Sequence, residues 1–146
     1  MTSFHVVLGV ALIAVNLAAG LLGAWTWWRG GHSRVFWPLL RAGQALVILQ
    51  ALDGLVLVAL GRDLPELHLV YGLTPIAVSF VAEQLRLASA QTVLDARGLE
   101  SSSAMTRLPE AEQQDVVMAI LRREMGVMAV SALVVTALAI RGAGWL

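Results

Sequence analysis

Four long apolar blocks, separated by short stretches rich in glycine, proline and charge, organise the chain. From Val6 to Trp28 there is no charged residue. A bilayer core takes about 20 apolar residues at about 1.5 Å each, so this block predicts a spanning helix over 4–28. No basic stretch precedes the block, which argues against a cleaved signal peptide. Arg29-Gly30-Gly31-His32-Ser33-Arg34 is a loop by its glycines, and Pro38 suits the first turn of a second helix over 39–60, interrupted only by Asp53.

After a tight turn from Gly61 to Pro65, a third helix is expected over 66–97, with 66–86 as its membrane part. Beyond Ala82 it meets water: Glu83, Gln84, Arg86, Gln91, Asp95 and Arg97 alternate there with Leu85, Leu87 and Leu94, and Gly98 suits a C-terminal cap. A loop is expected over 99–103. Pro109 then opens a fourth helix over 109–141, amphipathic to Glu124 and apolar from Met125 to Ile140, with 122–141 in the membrane. Its first turns carry Glu110, Glu112 and Asp115, which suit the positive end of a helix. The pattern predicts an all-α membrane protein of one domain, 1–146: a four-transmembrane-helix up-down bundle, helices three and four extending into the cytoplasm as an antiparallel pair.

Composition agrees and narrows the chemistry. The chain of 146 residues is 58% hydrophobic and 14% charged, against about 25% charged in soluble domains. It contains no cysteine, which excludes disulfides, iron–sulfur clusters and thiolate zinc sites. It contains no lysine either, which excludes Walker-type phosphate loops and Schiff-base cofactors. Ten arginines beside no lysine suit a GC-rich bacterial genome. A net charge of zero gives no support to nucleic-acid binding. No HExxH, GxSxG or Gly-rich phosphate loop occurs, so the chain is expected not to be an enzyme.

The arginines give an orientation. Arg29, Arg34, Arg41, Arg86, Arg97, Arg107, Arg122 and Arg123 flank the first and third loops, while only Arg62 and Arg141 lie at the other side. The positive-inside rule then places the protein in a bacterial plasma membrane with both termini outside. Trp25, Trp27, Trp28 and Trp37 form an inner aromatic belt, and Trp145 an outer one. A faint repeat overlays Leu40-Arg41 through Leu57 on Leu121-Arg122 through Leu138, a match that common Leu and Ala explain by chance.

Polar residues inside the apolar blocks are the candidate chemistry, because they face a bundle interior. At 100° per residue, His68, Pro75, Ser79 and Arg86 fall on one line down the third helix, and His5, Gly9, Leu12, Asn16 and Gly23 on one line down the first. Gln50 and Asp53 share a face of the second helix. Depth counting puts Asp53 and Tyr71 roughly 10 Å from the outer surface, and His5 and His68 within about 5 Å. An outer-half cluster of His5, Gln50, Asp53, His68 and Tyr71 follows. Asp53 is expected to bond His68 or Tyr71 across the short turn, and Pro75 to free the carbonyl of Tyr71. At the inner boundary Glu83 lies level with Arg123, near Arg86, Arg122, Glu124 and Arg41. Ion pairs of Glu83 with Arg122 or Arg123 are expected there, with lipid-headgroup or partner docking as the alternative.

Three functions compete. The first is an accessory or interaction subunit of a bacterial membrane complex, with no cofactor, docking a membrane-protein partner through its cytosolic helical pair and otherwise contacting only lipid. The second is an electron-transfer protein binding haem b through His5 and His68, the two outer-side histidines. The third is a proton or cation pathway along Asp53, His68, Glu83 and Arg86.

Overall fold

The computed structural model describes residues 3–63 and 65–144 and is all helical there. Four long helices, α1 (Ser3–Trp28), α2 (Phe36–Ala59), α3 (Glu66–Ala96) and α5 (Glu110–Gly142), carry the chain. A single turn, α4 (Ser102–Met105), overlaps the end of the loop expected over 99–103 and runs past it. The local signals set the limits. Gly61 and Gly98 adopt positive φ just past α2 and α3, and the following amides turn back onto Leu57 and Leu94, closing both helix ends. Pro65 and Pro109 stand at the N-caps of α3 and α5. Trp145 of the expected outer belt lies outside the described residues.

Three helices, α1, α2 and α5, are long and apolar enough to cross a membrane. The third helix differs from the expected apolar block. Between Glu66 and Glu83 it carries His68, Tyr71, Thr74, Pro75 and Ser79, which dilute its hydropathy. Each of the four long helices nonetheless exposes large apolar side chains, as at Val7, Leu52, Leu69 and Val130.

The helices pack in the lateral order α2, α1, α5, α3. α1 lies against both α2 and α5, and α3 runs along α5, whereas α2 and α3 touch little. Small residues allow the close approaches. A Cβ added at Gly23 would sit 2.5 Å from the Phe36 ring, and one at Gly20 would sit 2.6 Å from Leu133. Without hydrophobic driving force between helices in lipid, such backbone approach and dispersion carry the association. Two apolar layers result: Ala19, Phe36, Leu40, Met125, Met128 and Ala129 toward the arginine-rich end, and Leu12, Ile13, Val47 and Val135 toward the histidine end.

Candidate functional site: a histidine-lined cavity

The predicted polar line down α1 is its buried face: His5, Leu12, Asn16 and Gly23 all point inward. His5 is the first of these, and α2 supplies its partners. Its Nδ1 lies 2.8 Å from Asp53 Oδ2, and the Gln50 amide nitrogen lies 3.0 Å from its Nε2. The same amide nitrogen is 3.3 Å from the His5 carbonyl oxygen, which only accepts, so the NH₂ end of Gln50 faces His5. His5 Nε2 therefore accepts, and its Nδ1–H donates to Asp53. On α3, His68 Nδ1 lies 2.9 Å from the carbonyl oxygen of Gly142 on α5. A carbonyl only accepts, so His68 also carries its hydrogen on Nδ1.

This corrects the expected pairing. Asp53 faces His5 on α1, not His68 or Tyr71 on α3. α2 packs on α1 and stands apart from α3 at this end, despite the short turn that joins them. The separation is filled by a cavity of about 470 Å³, whose lining includes His5, Gln50, His68, Tyr71 and Pro75. The two imidazoles, from helices that are not lateral neighbours, come within 5.9 Å centre to centre, inclined at 49°. The Arg141 guanidinium lies over the Tyr71 ring, 5.8 Å from its centre.

Two features escape sequence reasoning. Each of the four long helices contributes one glycine to the cavity wall: Gly9, Gly54, Gly72 and Gly142. A Cβ at Gly72 would meet nothing within 4 Å, so that wall opens on free space. Second, Gln50 Oε1 is buried with no hydrogen-bond partner among the described residues. A buried acceptor left unpaired costs about 1–3 kcal/mol, so this amide is held on one side only.

The opposite end is built differently. Glu83 receives Arg41 and Gln44 from α2 and Arg86 from its own helix, the last two at 2.9 Å. Arg86 also reaches Glu124 on α5 at 3.6 Å, and its guanidinium lies 5.9 Å from the centre of the Trp37 ring. Of the expected inner pairs, Arg86 and Glu124 bridge α3 and α5. Glu83 does not pair with Arg122 or Arg123. Both arginines are exposed and enter no ion pair among the described residues. The faces explain it: Glu124 shares one with buried Met128 and Val135, while Arg123 shares one with exposed Val130 and Val134.

Between the two ends, the inward positions Pro75 and Val78 of α3 are apolar, and Leu12, Ile13 and Val47 line the cavity with Val135 packed behind them. No group of three or more His, Cys, Asp or Glu poised for a metal ion occurs among the described residues. No protein family, curated protein or solved structure matches this chain, and its chemistry is argued from the site alone.

Proposed function

We propose that the chain crosses the membrane four times and binds a b-type haem at its histidine end, serving as an electron-transfer protein. One observation carries this reading. Both imidazoles are anchored through Nδ1–H on an oxygen of a neighbouring helix, which leaves Nε2 as the lone-pair nitrogen of each ring in a cavity both rings line. That is how ligating histidines are oriented: the outer hydrogen bond fixes the tautomer and the ring, and raises the basicity of the ligating nitrogen. A quinone in the same cavity would need donors to its carbonyl oxygens, which these nitrogens in this tautomer do not offer.

Spacing and space agree. For both rings to hold one group, their centres would have to stand close across the cavity. The observed separation is 5.9 Å. The cavity volume falls in the range of about 300–1,000 Å³ common to cofactor sites, and its glycine walls suit a flat macrocycle. Gln50, which donates to His5 Nε2 and to the His5 carbonyl, would have to swing aside on binding, and its Oε1 has no partner to lose. The bound haem would supply a reversible one-electron couple; His5 and His68 would hold it, and Asp53 would tune His5.

The third helix spans the bilayer in this reading because it runs along α5 with its polar line turned inward. Both termini lie outside, from the arginine distribution. An impermeant thiol reagent should leave Ser102→Cys unlabelled in intact cells; labelling would invert the orientation. The accessory-subunit reading rests on exposed apolar residues of the extensions, such as Leu87, Val117 and Met118. A proton path would have to cross the apolar layer of Leu12, Ile13, Val47 and Val135.

The test is optical. Purified protein titrated with haem should show a Soret band and the low-spin spectrum of two imidazole ligands. His68→Ala should lose the low-spin form. Gly72→Leu, which grows into open space, should keep the helical fold and lose binding. A wild-type protein that neither retains nor takes up haem sinks the reading.

A further inference from the structure

On the opposite flank of the molecule, a second groove of about 790 Å³ runs along α5 between α3 and Trp27. Val81 and Leu85 of α3 and Val130 and Val134 of α5 line it and are exposed, so it opens outward. From Arg123 to Val134 it follows α5 for about 16 Å, roughly one leaflet of a hydrocarbon core about 30 Å thick. Apart from Ser131, the polar groups lining it among the described residues are at its arginine-rich end. Arg123 lines the groove there, and the Trp27 indole lies across Gly126, where a Cβ would sit 2.8 Å from Nε1.

Charge decides what the groove takes. At this level Arg41 and Arg86 are matched by Glu83 and Glu124. Arg123, one residue from Glu124, is exposed and has no counter-charge in the ion pairs among the described residues. An apolar channel one leaflet long, ending in an unmatched guanidinium and an indole N–H, is complementary to a single anionic phospholipid. We infer that the groove is a binding site for such a lipid: one acyl chain lies between α3 and α5, and the phosphate sits on Arg123 and Trp27. This inference does not depend on the histidine cavity.

Native mass spectrometry of the full chain, released from bilayers of equal phosphatidylglycerol and phosphatidylcholine, tests it. Wild type should retain phosphatidylglycerol preferentially. Arg123→Gln should reduce that preference about fivefold, the ratio equivalent to about 1 kcal/mol for one arginine near an anionic surface. Val130→Trp, which fills the groove without changing charge, should lower retention of both lipids. Equal retention of the two lipids by wild type would overturn the proposal, as would an Arg123→Gln protein with unchanged preference or a Val130→Trp protein with unchanged retention.

Discussion

The histidine end and the arginine-rich end both bury polar groups among apolar helices, but they dispose of hydrogen-bonding capacity in opposite ways. At the arginine-rich end the groups consume one another. Glu83 collects Arg41, Gln44 and Arg86, and Arg86 passes on to Glu124. At the histidine end each ring is bonded on its far side, to Asp53 or to the Gly142 carbonyl. What remains is a lone-pair Nε2 on each ring, that of His5 covered by the Gln50 amide, with an unpaired amide oxygen and a cavity beside them. Buried polar groups that pair completely act as staples. Groups that pair only in part, and enclose space, are the ones to suspect of holding something.

Substitutions that remove one member from each end should separate the two behaviours. The larger effect is expected for Glu83→Ala. It removes the carboxylate that Arg41 and Arg86 share, leaving Arg86 only Glu124, and releases the one strong link between α2 and α3. Because these side chains remain partly solvated, a loss of about 1–2 kcal/mol is expected, read as a lower thermal midpoint in detergent. An unchanged midpoint would show that the network is ornamental. The smaller effect is expected for Gln50→Leu. It deletes an amide whose oxygen has no partner, so stability should stay within about 1 kcal/mol of wild type. Haem affinity should rise in the same variant, since the Gln50 amide no longer covers His5 Nε2. A marked drop in midpoint would instead make Gln50 a structural strut and bring the two ends closer in character.

Helix limits were legible because their signals are local: Gly61, Gly98, Pro65 and Pro109 each act within a few residues. Membership of the histidine cluster was legible too, since His5, Gln50, Asp53, His68 and Tyr71 could be ranked by depth from chain position alone. Their pairing was not. Choosing His5 over His68 as the partner of Asp53 requires knowing that α2 packs on α1, a contact between residues 48 apart in sequence. The acceptor for His68 is a backbone carbonyl, which no side-chain pattern announces. Along α5, only Ser131 and Thr136 interrupt the apolar run from Met125 to Ile140. A nearly uniform apolar helix has no visible face, so Arg123 rather than Glu124 was aimed inward.

The lateral order of the helices also dictates a sequence of assembly. α1 and α2 can pair as soon as both are in the bilayer, since they already share an extensive interface. α3 follows with almost nothing to hold it except the Glu83 contacts, because its main partner is α5, which the ribosome delivers after the other three. Docking of α5 against α1 and α3 is therefore the step that closes the structure. The carbonyl of Gly142, which orients His68, sits on the last residue of that helix. The histidine site is thus a product of late folding, complete only after synthesis has passed every other group that builds it.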